Sequence, residues 1–327
     1  DECGGFPGSR IVRLSQVSQT VSIAEICSML PYLLTYDQNQ MPDPDLLSVT
    51  RLIVSYNSSQ VIADCLDAIP GQPTVVIDND SKDNTAEICR QRDNTKVIET
   101  GENPGFGAGV NRGFENIDTE WSLVINPDAV LDGQNLERML DCARRFPDAG
   151  MIAPAIVDPD GALDYSHDKA LHRRKGMSRK RLDPLPEGPV CAEFLSGAAF
   201  LVRTDVAKQI GGFDETFFLF YEDDDFCWRV ANAGYSLILE PAAQAIHLGG
   251  TSTIPSARIA YRRDYHMGRS LTLYRQKHLG PRTAFLMTFS DAPRLLSKAM
   301  LRSLTGSWSK AARDWGRLNG TISRLFS

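Results

Sequence analysis

The chain has 327 residues, 42% hydrophobic and 23% charged, which is the make-up of an ordinary globular protein with room for one large α/β domain and an extension, or for two domains. Its net charge of −6 hides an asymmetry: from Arg258 to the end 14 Lys and Arg stand against 3 Asp and Glu, while the remainder carries 21 against 38. No apolar run reaches the roughly 18 residues of a membrane-spanning helix, residues 1–30 lack the basic start and apolar run of a secretory signal, and seven cysteines without a Cys-x-x-Cys pair argue against a zinc site or disulfide framework and fit a reducing cytoplasm.

Residues 1–48 are poorly defined: Ile23 to Leu34 suits a short helix and Met41-Pro-Asp-Pro-Asp a linker. The functional domain is expected to begin near Met41, with the stretch before it as a loosely attached extension. From there the elements alternate. Thr50 to Ser55 is a β-branched and apolar strand, followed by a turn at Tyr56-Asn57-Ser58 and a helix over Val61 to Ile69. Thr74 to Asp78 is a second buried-type strand, and Ser81 is placed as the cap of a helix over Asp83 to Arg92. Lys96 to Glu99, a helix over Phe106 to Phe114 and a strand over Trp121 to Ile125 complete a β-α-β-α-β-α-β series, the pattern of a doubly wound, mostly parallel sheet. In such sheets ligands sit at the carboxyl ends of the strands, where Tyr56, Asp78 and Asp128 all fall. The glycines of Gly105-Phe-Gly-Ala-Gly109 follow a weak strand and lack the spacing of a dinucleotide fingerprint.

Asn135 to Arg145 reads as an amphipathic helix and Met151 to Val157 as a strand. Residues 165–190 form a long loop with Arg173, Arg174, Lys175, Arg179, Lys180 and Arg181. Phe194 to Val202 returns to strand character, interrupted at Ser196-Gly197. Then Phe220 and Tyr221 precede four consecutive acids, Glu222 to Asp225, with a helix expected over Phe226 to Ala233 and a strand over Ser236 to Leu239. Adjacent carboxylates repel and are costly to desolvate, so the run is either a wet loop or helix start, or a group with a use.

Eight pieces, in order, resemble family 2 glycosyltransferases of the GT-A fold, and within them the rhamnosyltransferase branch. They are Val54-Ser-Tyr-Asn57; Ile77-Asp-Asn-Asp-Ser81 with Asp83 and Thr85; Asn103-Pro-Gly-Phe-Gly107 with Asn111-Arg112-Gly113; Asn126-Pro-Asp128; Leu195-Ser-Gly197; Gly211-Gly-Phe-Asp214; Glu222-Asp-Asp-Asp225 with Arg229; and His247 with Gly249-Gly250. Residues 49–256 are accordingly expected to form an α/β GT-A domain. The resemblance implies inverting transfer of a sugar, L-rhamnose from dTDP-L-rhamnose or a hexose from a UDP-sugar, to a glycan or lipid-linked acceptor in cell-surface polysaccharide synthesis.

It also implies the roles of particular residues. Asp223 is the general base, with Glu222 the alternative, since neighbouring carboxylates and aromatic walls raise a pKa there. Tyr56, Asp78, Gly105, Asn111, Arg112, Asn126, Ser196 and Gly197 are placed around the donor. Asp128 and His247 are placed on a Mg²⁺ or Mn²⁺ ion that neutralises the leaving diphosphate. The family's Asp-x-Asp is here Asn126-Pro127-Asp128, one carboxylate instead of two. By spacing, Asp225 either caps the helix or pairs with Arg229. Asp224 has no role.

Residues 257–327 read as a basic helical region, with helices over 258–279, 282–304 and 307–326 carrying apolar stripes. Basic amphipathic helices suit an anionic membrane surface, and equally a cap on the core or a homodimer contact. A weak sugar-nucleotide or polysaccharide-binding protein on the same scaffold is the alternative reading, supported by the reduced Asp-x-Asp motif. Nucleic acid is excluded as a partner because the acidic body repels a phosphate backbone and no aromatic platform interleaves with the basic residues.

Overall fold

The computed structural model describes residues 46–164, 166–169, 171, 185–249 and 256–325, all within the compact unit Pro42–Ser327. The expected helix at Ile23 to Leu34, the Met41 linker, the basic loop at Arg173 to Arg181 and Gly250 lie outside the described residues. Within them, β1 (Val49–Ser55), β2 (Thr74–Asp78), β3 (Thr95–Glu99) and β4 (Trp121–Ile125) alternate with α1 (Ile62–Asp67), α2 (Thr85–Arg90) and α3 (Phe106–Phe114). Then come β5 (Ala129–Val130), α4 (Gly133–Arg145), β6 (Ala149–Val157), β7 (His167–Asp168), β8 (Val190–Cys191), β9 (Phe194–Leu195) and β10 (Ala199–Arg203). The remaining elements are α5 (Thr204–Gln209), α6 (Glu222–Asn232), β11 (Ser236–His247) and the helices α7 (Ala257–Leu279), α8 (Pro281–Leu304) and α9 (Trp308–Leu325).

One sheet runs β3-β2-β1-β4-β10-β6-β11-β5, with β8 beside β11, and β7 pairs separately with β9. The pairs β2/β3, β1/β2, β1/β4 and β6/β11 are parallel, and β10 runs antiparallel between β4 and β6. Strand residues alternate between two cores. Ile53, Val76, Leu123 and Leu201 meet α4 through Leu136 and Met139 on one face. Leu52, Val54, Val75, Ile77, Val124 and Phe200 meet Val110 and Phe114 of α3 and Phe226 of α6 on the other. Burial on both faces is why these strands read as continuous apolar runs.

Three elements differ from their sequence reading. Helix α6 starts at Glu222, four residues before the expected Phe226, because carboxylates suit the positive end of a helix. Strand β11 continues through Pro241 to His247, with its register shifting between Glu240 and Gln244; the proline and bulge interrupt the pattern without ending the strand. Ser81 caps no helix. Its backbone N–H and hydroxyl both donate to Asp78, and α2 begins only at Thr85.

The C-terminal helices fold back on themselves. Gly316 and Gly320 of α9 lie against the carbonyls of Tyr261 and Tyr265 of α7, so close that a Cβ at either glycine would overlap them. Asp264 of α7 receives Arg317 at 2.9 Å and Arg313 at 3.4 Å from α9.

Candidate active site

The carboxyl ends of the parallel strands form the working edge. Because β10 is antiparallel, its entry Ser196-Gly197-Ala198 arrives at this same edge, with Ala199 opposite Ile125. Strand β11 brings His247 there opposite Ala129. A cleft of about 540 Å³ opens at this edge, lined by Asn126, Ser196, Gly197, His247, Glu222 and Asp223 among others. Its far wall comes from the C-terminal helices through Met267, Leu271, Tyr274, Arg275 and Met287.

Six of the residues expected at the site therefore share this cleft, and six do not line it. Tyr56 stands just past β1 with 43% of its surface exposed, open for a planar ligand to stack on it. Asp78 is buried and accepts hydrogen bonds from Ser55 Oγ at 3.0 Å, Ser81 N at 2.8 Å and Ser81 Oγ at 2.6 Å. Gly105 opens α3 at φ +100°, where any side chain would run into the Phe218 carbonyl; Phe106 N donates to that same oxygen at 3.2 Å. Asn111 is engaged elsewhere: it donates to Phe213 O and Glu215 Oε1, both at 2.9 Å, and accepts from Phe213 N at 2.7 Å. Arg112 sits 3.8 Å from Glu102, on the half-exposed side of α3. Asp128 is buried behind the cleft, with His247 Nε2 3.4 Å from its Oδ1.

The four acids occupy the first turn of α6, after Phe220 and Tyr221 at φ 69° and 67°. Two consecutive left-handed non-glycine residues are a strained entry of the kind found beside functional groups. Each carboxylate meets a different environment. Asp223 accepts from Gly197 N at 3.2 Å and Asp224 N at 3.0 Å and remains partly open to the cleft. Glu222 is 6% exposed, and its Oε2 has no hydrogen-bond partner among the described residues. Burial first, and then the charge of Asp223, push its carboxyl well above the ordinary glutamate value. The raised carboxyl is thus Glu222. Asp225 is fully buried: burial alone would raise it, but hydrogen bonds from His278, Lys277 and Arg229 outweigh that and bring it down to about 2. The Arg229 contact, at 2.8 Å, is the one the four-residue spacing predicts.

Glu222 gives a pH test of stability. Its folded pKa lies above its unfolded value of 4.5, so its contribution is fully present below that value and is lost as pH rises toward the folded pKa. Glu222→Gln removes the cost of ionising a buried carboxyl. The variant is expected to exceed the wild type at alkaline pH and to match it below the unfolded pKa. Urea unfolding at the two pH values checks this, and equal midpoints throughout would show that Glu222 is not held neutral.

Sequence reasoning missed the residues that α7 contributes. Lys277 and His278 lie more than fifty positions from Asp225, and Tyr274 and Arg275 reach the cleft from the same helix. No local pattern marks them, since each looks like an ordinary residue of an amphipathic helix. Asn79 was also passed over; its Nδ2 donates to Gly105 O at 3.0 Å and joins the β2 end to α3.

Doubly wound enzymes hold their ligands at this edge of the sheet, and comparison with known proteins names the class. The model of glycosyl transferase family 2 matches residues 51–211. The chain is 31% identical over 206 residues, 55% of its own length and 67% of the other's, to an N-acetylglucosaminyl-diphospho-decaprenol L-rhamnosyltransferase of Mycobacterium tuberculosis. It is 26% identical over 231 residues, 67% of its length and 73% of the other's, to a low-salt glycan biosynthesis hexosyltransferase of Haloferax volcanii. Its fold matches a mannosyltransferase from Pyrobaculum calidifontis, solved in complex with GDP-Man and Mn²⁺, at a TM-score of 0.53 and 15% identity over 93% of this chain and 94% of that one. The protein is a glycosyltransferase of GT-A fold. It belongs to glycosyl transferase family 2.

Proposed function

We propose that the protein is an inverting transferase that moves a sugar, L-rhamnose from dTDP-L-rhamnose, onto a hydroxyl of a lipid-linked glycan. The observation that carries this reading is the meeting, in one cleft, of Asp223 on α6, the His247 end of β11 and an apolar wall from α7 and α8. The acceptor hydroxyl attacks the anomeric carbon, the new C–O bond forms as the bond to the diphosphate breaks, and the proton passes to Asp223. Gly197 N and Asp224 N hold that carboxylate in place. Glu222, kept neutral beside it, has a proton with which to hydrogen-bond a sugar oxygen. Asp78 and Tyr56 receive the pyrimidine, Asp78 by hydrogen bonding and Tyr56 by stacking.

Asp128 and His247 suit a divalent ion. One carboxylate and one imidazole, 3.4 Å apart, supply two ligands, of which His247 lines the cleft, and no group of three or more His, Cys, Asp or Glu able to hold a metal occurs among the described residues. Diphosphate oxygens and water would complete the shell. When bound, Mg²⁺ or Mn²⁺ neutralises charge on the leaving diphosphate.

The donor and the acceptor class rest on similarity, since the M. tuberculosis relative is named an L-rhamnosyltransferase of a diphospho-decaprenol. A thermal-shift panel of dTDP-rhamnose, UDP-hexoses and GDP-mannose, with and without Mn²⁺, tests the donor. Ligand at about a hundred times its Kd stabilises by about 2.7 kcal/mol, and dTDP-rhamnose with metal is expected to give the largest rise. A larger shift with a UDP-hexose would reassign the donor, and no shift with any of them would defeat the reading.

A further inference from the structure

Helix α8 turns outward a face that nothing among the described residues covers. Phe285 is 52% exposed, Phe289 70%, Met300 51% and Leu304 85%. Helical spacing puts Phe285, Phe289, Leu296 and Met300 on one side, with Leu286 and Leu304 at its edge. The Phe285 and Phe289 rings lie 6.3 Å apart, nearly parallel. The inner side is small: Ala284, Thr288 and Ala299 are buried, and α8 packs on α7 and α9. Trp308, 69% exposed, extends the apolar surface at the start of α9.

The exposed charge on α8 and at the start of α9 is of one sign. Arg282, Arg294, Lys298 and Lys310 are exposed. The sole acid among residues 281–310, Asp291, is bound by Arg275 at 2.8 Å. None of the described helices is long and apolar enough to cross a membrane, so the pattern is that of a helix lying in an interface.

We propose that α8 seats the protein on the surface of an anionic lipid bilayer, with its apolar side chains at the acyl boundary and its cations among the headgroup phosphates. Two observations favour lipid over a second copy of the chain. A symmetric dimer through this face would bring together two sets of like charges. The rest of the chain, with 21 basic and 38 acidic residues before Arg258, is repelled by an anionic surface, so the field turns the tail toward it. Met287 of α8 also lines the cleft, next to Met267 and Leu271 of α7. An acceptor anchored by a lipid could thus reach the acids without leaving the membrane. That last consequence rests on the transferase reading; the surface binding does not.

The test uses the full chain with sucrose-loaded phosphatidylcholine vesicles, with and without one third phosphatidylglycerol. Pelleting with the anionic vesicles alone is expected, falling as salt is raised. The double variants F285S/F289S and R294E/K298E are each expected to weaken it by about tenfold, with thermal midpoints unchanged because all four side chains are exposed. Absence of pelleting, or pelleting equal in the wild type and both variants, overturns the proposal. So does a dimer in sedimentation velocity that F285S/F289S dissociates without any vesicle binding; the face would then be a contact between copies. Because no donor is present, failure of the transferase reading would leave these outcomes unchanged.

Discussion

Asp223→Asn is expected to lower transfer by about a thousandfold, the middle of the range for a general base, while donor affinity stays near that of the wild type. Asparagine keeps the shape and can still accept from Gly197 N, the contact that now spans 3.2 Å. What it loses is the ability to take a proton. In the proposed mechanism donor binding is assigned to the β1–β2 edge and the Asp128–His247 pair, which the substitution does not touch. Single-turnover rates with donor titration separate the two effects. Full activity in the variant would move the base elsewhere, and Glu222→Gln would be the next variant to assay.

Asp225→Ala is expected to carry the largest stability loss, about 3–5 kcal/mol, as for other buried charges stripped of a partner. The carboxylate lies between Arg229 at 2.8 Å, Lys277 at 2.7 Å and His278 at 2.8 Å. Without it, Lys277 keeps Asp214 at 2.6 Å and Arg229 keeps the Ile210 carbonyl at 3.0 Å, whereas Arg229 Nη2 already lacks a partner among the described residues. The pH dependence follows from the depressed pKa. The stabilisation is present above the unfolded value of 3.8 and is lost as pH falls through the folded value of about 2. Acid unfolding of the wild type should therefore steepen across that window, while Asp225→Asn should start less stable and show a shallower fall. Urea midpoints at neutral and acid pH measure both, and a variant as stable as the wild type would remove Asp225 from this role.

Much of this architecture is legible because local physics dictates it. The strands Thr74–Asp78 and Trp121–Ile125, and the helix Phe106–Phe114, coincide with their sequence reading, since each is a short apolar or amphipathic block with turn residues on both sides. The helices α7, α8 and α9 fall within a residue or two of theirs, cut by Gly280 and Gly306 at positive φ. The start of α6 was harder to read. Four acids resemble a wet loop, and only tertiary contacts with Gly197, Lys277 and His278 show that they belong to a helix turned into the protein. Asn111 illustrates the converse. It fits the family motif by position, yet its amide is spent holding Phe213 and Glu215, a partnership about a hundred residues away that no local pattern records.

The ion cluster around Asp225 also bears on how the enzyme can be rebuilt. The acids that line the cleft and the apolar wall that completes it belong to separate stretches of chain, and Lys277 and His278 are the rivets between them. A chimera that exchanges residues 257–325 for another tail would change the apolar wall of the cleft while leaving the β1–β2 edge alone. It would also withdraw two of the three side chains that contact Asp225. Such a graft calls for a basic pair at the same turn of the incoming helix, so the tail is interchangeable only together with its fastening.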